Sequence, residues 1–273
     1  MRIARVASGH GEEFALVDAE AGTWRRLGLA VGAAWIDPRV LAQRGARAAS
    51  PEPIDPARLL PPVVPRCLVG VGLNFVGHAR EQGLALPSEP RLFCKNPRSL
   101  APPVGTLPLH PASSCLDYEA ELGIVIGAAV FGCSRAEAEA AIAGWVVVQD
   151  YTLRDLARPE TLAIAKGGPG MAPLGPWLTT IEAVSLAGIG ALTLRCRVNG
   201  ELRQEASLAD LHLGPVDLVR HVARYLPLGP GDVIAAGSPG GTGVGFDPPR
   251  WLARGDVVET AIDGLGTLRQ QVI

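Results

Sequence analysis

The chain is poor in lysine, aromatic residues and methionine, and it has no long apolar run. Of its 25 basic residues only two, Lys95 and Lys166, are lysine. The longest apolar stretches fall far short of the about 20 residues that cross a bilayer, and no signal-like segment opens the chain. Attachment to a membrane is therefore not expected, and the cytoplasm is the expected compartment. The formal net charge is only −2, so a broad affinity for nucleic acid or acidic lipid is not expected either. Cys67, Cys94, Cys115, Cys133 and Cys196 form no CxxC pair and are odd in number. They fit reduced thiols rather than a disulfide frame or a zinc site. The GxSxG elbow, the HExxH helix motif and the Walker loop are also missing, which removes the serine-hydrolase, zincin and P-loop readings. There is no internal repeat and no low-complexity tract.

What remains is a globular chain of 273 residues, 48% hydrophobic, with 33 Gly and 24 Pro marking many turns. It is long enough for one large core or two unequal domains. Residues 1–60 read as a small N-terminal β domain, with strands at Ile3–Val6, Phe14–Val17 and Thr23–Leu27. The prolines at 51, 53, 56, 61, 62 and 65 read as a linker. Residues 61–273 form the main domain, which opens with a buried strand at Cys67–Gly72. Helices are predicted at Phe75–Leu84, at Ser134–Ala143 with Ser134 as N-cap and Glu137 at N3, and at Val216–Tyr225. Short β runs follow at 122–126, 145–149, 177–180, 191–198, 232–236 and 256–262. The predicted class is mainly β with a few helices, α+β, around a closed or folded sheet.

Glu119, Glu121 and Asp150 carry the strongest chemical signal. Alternation along a strand puts Glu119 and Glu121 on one face, roughly 6–7 Å apart. At an effective dielectric near 20 they repel by about 2–3 kcal/mol. Asp150 closes the second apolar run, Gly144–Asp150. A hard divalent cation turns that repulsion into attraction, and an oxygen-only set suits Mg²⁺, Mn²⁺ or Ca²⁺.

Three further segments could bear chemistry. His78 and Glu81 are i,i+3 neighbours if their segment is helical, so the carboxylate can orient the imidazole as a general base. A solvated helix face also explains the pair. His10, His110, His212 and His221 have no such partner set and are read as structural. Lys166 heads a glycine-rich stretch, Lys166–Trp177, that could bring backbone and ammonium to an oxyanion, or could be a turn-rich connection. Where Arg is the default cation, a remaining Lys marks a place for a compact charge that burial can tune. The loop Gly229–Gly245 can offer backbone N–H groups at Gly237 and the Ser238 or Thr242 hydroxyl to a carboxylate.

The order of these pieces resembles the fumarylacetoacetate hydrolase family over residues 65–273. The matching segments are Asn74–Glu81, Phe93–Pro97, Asp117–Leu122, Gln149–Asp155, Lys166–Trp177 and Pro230–Gly241. The resemblance implies a rolled, mixed β-sheet fold and Mg²⁺ or Mn²⁺ on Glu119, Glu121 and Asp150. It implies a water-activating His78–Glu81 dyad on a lid, Lys166 steadying anionic charge, and substrate contacts from Asn74, Arg154, Gly237, Ser238 and Thr242. The implied substrate is a small oxo acid, the implied reaction is hydrolysis of a C–C bond, and the implied assembly is a homodimer. Isomerase, tautomerase and decarboxylase chemistry stay open, as does a non-catalytic ligand-binding dimer. Gln149 and Phe75 depart from the family pattern, and Gly167–Met171 replaces a polar and aromatic stretch. That last change predicts a differently lined pocket.

Overall fold

The computed structural model describes residues 1–9, 11–30, 37–38, 40–41, 49–81, 83 and 85–273. His10 lies outside them. The strand Ala120–Ile126 is buried along its whole length. Its apolar run from Leu122 to Ile126 reflects cover on both faces. Leu122, Ile124 and Ile126 belong to the main core with Trp145, Leu194, Val258 and Leu268. Val125 faces the opposite way, into a second cluster with Val146, Val148, Leu174 and Val233.

This strand lies within a twelve-stranded mixed sheet, between Ile142–Gln149 and Val233–Ala235. Beyond Val233–Ala235 come Leu68–Gly72, paired in parallel, and then the edge strand Arg91–Lys95. On the other side the sheet runs through Ala172–Thr180 to the N-terminal strands Arg2–Ser8, Gly11–Asp18 and Thr23–Ala30. A second sheet of five strands, from Glu201–Ser207 to Val104–Leu107, supplies Leu194, Val258 and Leu268 to the main core. The chain is thus mainly β with a few short helices, as its turn-rich short runs predict.

The N-terminal strands join the main sheet directly, with Arg2 opposite Thr179 and Ile3 opposite Leu178. They also enclose small cores of their own, around Trp24 and around Phe14. The proline-rich stretch is not a loose linker. Asp55 caps a 3-10 turn at Pro56–Arg58, and Leu59–Leu60 pairs with Arg5 and Val6.

The helices are shorter than predicted. Phe75 bridges to Leu211, so the first helix starts at Val76 and is described over Val76–Glu81; Gln82 and Leu84 of the predicted stretch lie outside the described residues. The capping box of Ser134 and Glu137 forms, but the helix ends at Ala140 because Ile142 enters the central strand. The third spans Pro215–Val222, with proline in its first turn. The sequence reading missed the edge strand Arg91–Lys95 and the strand Val104–Leu107, and it also missed two longer strands, Glu201–Ser207 and Gly266–Val272. Both carry polar side chains toward solvent, so their apolar content is too low to stand out. None of the helices among the described residues is long and apolar enough to cross a membrane, and all five cysteines are free.

Candidate functional site

The antiparallel register places Ala120 opposite Gln149, so Glu119 and Asp150 meet just beyond the strand ends. The Asp150 N–H donates to the Glu119 carbonyl at 2.8 Å, which extends the ladder by one step. Glu121 stands two residues along on the same face. Glu119, Glu121 and Asp150 are all buried, and one carboxylate oxygen from each lies within 4.8 Å of the others. The sequence reading brought these three together, and the fold does so by strand pairing.

Two buried lysines and the half-buried Arg154 surround them. Lys166 Nζ donates to Glu119 Oε2 at 2.5 Å, to Asp150 Oδ2 at 2.6 Å and to Thr152 Oγ1 at 2.8 Å. Lys95 Nζ donates to Asp150 Oδ1. Arg154 donates from Nη2 to Glu119 Oε1 at 2.6 Å and from Nε to Asp117 Oδ2 at 2.7 Å. Both lysines of the chain therefore converge on Asp150. Among the described residues Glu121 has no cationic partner and accepts only the Gly237 N–H, at 2.9 Å. Gly237 reaches it with φ of +99°, and a Cβ there would press on Asn74 and the Val71 carbonyl.

These contacts separate the charges. Burial pushes Glu119 up, but Arg154 and Lys166 outweigh it and hold the carboxyl well below the usual range. Glu121 is driven well above that range by burial and by the charges of Asp150 and Glu119. Burial would lower Lys166, but Asp150 and Glu119 hold it above an ordinary lysine. Lys95 falls below one, because it is fully buried and Lys166 adds repulsion to a single carboxylate partner. Three clustered carboxylates, one of them without a cation and unfavourable as an anion, form a donor set that fits a hard divalent ion. An all-oxygen set admits Mg²⁺, Mn²⁺ and Ca²⁺ alike.

A cavity of about 330 Å³ opens on this centre, and Glu119, Glu121, Lys166, His78, Ser238 and Arg91 are among its lining residues. His78 Nδ1 lies 3.2 Å from Glu81 Oε2, and Glu81 accepts the Gly241 N–H at 3.0 Å. A carboxylate can only accept, so the proton of this pair sits on Nδ1 and Nε2 is the basic nitrogen. The Phe93 ring lies across Gly70, where any Cβ would collide with it, and the Lys166 ammonium sits 4.8 Å from the ring centroid.

The residues assigned to substrate are placed differently from one another. Arg154 lines the cavity with its guanidinium engaged by Asp117 and Glu119. Asn74 is committed to the backbone: it donates to the Leu213 and Ala236 carbonyls and accepts from the Leu213 N–H. Gly237 serves Glu121. Ser238 lines the cavity and accepts from Gln204 Nε2 at 2.8 Å. Thr242 is buried outside the lining, and its hydroxyl meets no partner among the described residues. None of Gly167–Met171 lines the cavity, so this stretch adds no side chain to it. Pro169 and Met171 border a separate apolar pocket of about 240 Å³ with Leu116 and Leu153.

Two residues of the centre were missed. Lys95 was visible as one of two lysines in an arginine-rich chain and within the matching segment Phe93–Pro97, but was given no role. Asp117 accepts the N–H groups of Tyr118, Gly243 and Val244 besides Arg154, and so ties the 241–244 loop to the centre. Nothing in its sequence context separates that task from the metal-binding one two residues on.

Comparison with known proteins agrees with this geometry. The family described as fumarylacetoacetate (FAA) hydrolase C-terminal matches residues 67–273. A human mitochondrial oxaloacetate tautomerase, FAHD2B, is 36% identical over 218 residues, covering 79% of this chain and 69% of its own. The 5-carboxymethyl-2-hydroxymuconate delta-isomerase of Mycobacterium smegmatis superposes with a TM-score of 0.80 at 27% identity, covering 100% of this chain and 98% of its own. Fumarylpyruvate hydrolase of Pseudomonas aeruginosa, solved with Mn²⁺ and pyruvate, gives a TM-score of 0.68 at 29% identity, covering 79% of this chain and 91% of its own.

Proposed function

The chain belongs to the fumarylacetoacetate hydrolase family, and we propose that it is a divalent-metal-dependent enzyme acting on a small oxo acid, first of all as a hydrolase of a C–C bond in an acylpyruvate-like substrate. The observation that supports this reading is the cavity lined by Glu119, Glu121 and His78, with Asp150 buried beside the two glutamates. Glu119, Glu121 and Asp150 would hold the cation, and the Mn²⁺ and pyruvate bound to a structural relative fit such a role. When bound, the cation acts as a Lewis acid on the two oxygens of a chelating oxo acid.

The chain's own residues do the rest. Glu81 holds Nδ1 of His78, and Nε2 takes a proton from water. The hydroxide so formed adds to the carbonyl carbon next to the scissile bond. As that bond breaks, its electron pair stays with the pyruvate fragment and delocalises into the adjacent carbonyl. Lys166 stands fixed beside this growing charge and needs no rearrangement to offset it. His78 then returns its proton to the carbanion.

A tautomerase or isomerase is the second reading, favoured by the relatives named for those activities. It needs the same proton movement without attack by water. Incubation of an acylpyruvate with the Mn²⁺-loaded enzyme in oxygen-18 water separates the two. The hydrolase yields pyruvate and one heavy oxygen in the released carboxylate. Faster keto–enol exchange of oxaloacetate with no cleavage of acylpyruvates would replace the first reading by the second.

A further inference from the structure

We propose that Arg91 selects substrates with a second anionic group, distal to the chelating end, an inference that rests on the oxo-acid reading above. Alternation along the edge strand Arg91–Lys95 puts Arg91, Phe93 and Lys95 on one face. Lys95 is buried against Asp150 at the metal centre. Phe93 lines the cavity, with its ring over Gly70 and beside Lys166. Arg91 lines the same cavity at the other end of this row, and its Cα is about 13 Å from that of Lys95 at roughly 3.3 Å per residue.

Arginine is this chain's default cation, so its type alone marks nothing. Its place does. The guanidinium of Arg91 makes no hydrogen bond or ion pair with another described residue, whereas Arg154, deeper in the cavity, is held by two carboxylates. The acidic groups of the surrounding segments are engaged elsewhere: Glu81 by Gly241 and His78, and Glu89 by Arg224 at 3.9 Å. Val71, Leu73, Phe93 and Leu162 add apolar lining to the same cavity. The cavity therefore combines carboxylates of the metal centre, apolar lining and an exposed planar cation. A guanidinium fork matches a carboxylate in two parallel hydrogen bonds, which a neutral tail cannot form. A monoanionic substrate leaves Arg91 in water at no penalty, so the discrimination comes from gain on the dianion.

Calorimetry on the Mn²⁺-loaded protein tests this with 2-oxoadipate and 2-oxohexanoate, six-carbon acids that differ only in the second carboxylate. The wild type is expected to bind 2-oxoadipate about 10- to 100-fold more tightly, the range of a hydrogen bond to a charged group. Arg91→Met is expected to weaken 2-oxoadipate alone and leave 2-oxohexanoate unchanged. Arg91→Lys is expected to keep part of the preference. Equal binding of the two acids by the wild type, or a preference that survives Arg91→Met, overturns the assignment while the oxo-acid reading stands. Failure of both acids to bind the wild type overturns that reading and the role of Arg91 together.

Discussion

The carboxylate centre and the His78–Glu81 arm share one cavity but are built in different ways. The three carboxylates and Lys95 sit on strands or at their ends, Lys166 caps the short helix Leu162–Ala165, Arg154 opens a 3-10 turn, and the Asp150 and Lys95 side chains are fully buried. Ion pairs and backbone N–H groups fix it from several directions. The arm is a six-residue helix. Its start is held by Asn74, by the His212 N–H on the Asn74 carbonyl at 2.7 Å, and by the Phe75–Leu211 bridge. Its far end is held by the Gly241 N–H on Glu81, whose side chain is 33% exposed. Cation affinity is thus a property of the sheet, and proton transfer is a property of an attached segment. Variants in the two regions should separate the two functions.

The sharpest break in that comparison is Glu121→Ala. It removes the one carboxylate with no cationic partner, and cation affinity is expected to fall about 1,000-fold, beyond the 10- to 100-fold usual for residues that only support a ligand. Titration with Mn²⁺ reads this directly, and turnover should vanish with the cation.

His78→Ala is the complementary break. It is expected to lower kcat by about 10²- to 10⁴-fold, the usual worth of a positioned acid–base group, with Mn²⁺ affinity unchanged. Loss of Mn²⁺ binding in this variant would show that the two regions are not separable.

Lys95→Met tests the cations of the centre. It leaves Asp150 buried with Lys166 as its remaining partner, and a broken buried pair costs about 3–5 kcal/mol. Denaturant unfolding of the metal-free protein should show that loss, and saturating Mn²⁺ should restore part of it by replacing the missing charge.

The smallest effect concerns pH. Glu121 is held well above the usual carboxylate range, by burial first and then by Asp150 and Glu119. The cation requires its deprotonated form. Affinity should therefore rise with pH up to the raised pKa of the metal-free protein, by at most about tenfold per pH unit, and level off above it. Binding heats measured in two buffers of different ionisation enthalpy should show proton release below that pKa.

Much of the fold was legible because central strands covered on both faces read as unbroken apolar runs, as in Leu122–Ile126 and Ile142–Val148. Glu201–Ser207 was hidden because Gln204 is its only buried residue. Register, which joins Glu119 to Asp150 across 31 positions, depends on tertiary pairing, and the recurring motif order stood in for it. The scarcity of lysine pointed at Lys95 and Lys166 alike, but only Lys166 had glycines beside it to raise its weight. Arg91 was invisible, because one arginine among many gains meaning only from the cavity it lines. Asn74 had the polarity of a ligand-binding residue, and the fold uses that polarity to anchor the arm.

The most direct test of the account follows the near-ultraviolet absorbance of an acylpyruvate mixed with the protein, first stripped of metal and then supplied with Mn²⁺. The account predicts no bleaching without the cation, bleaching with release of pyruvate once it is added, and its arrest by excess EDTA. Bleaching at the same rate in EDTA would contradict a metal-dependent centre at Glu119, Glu121 and Asp150.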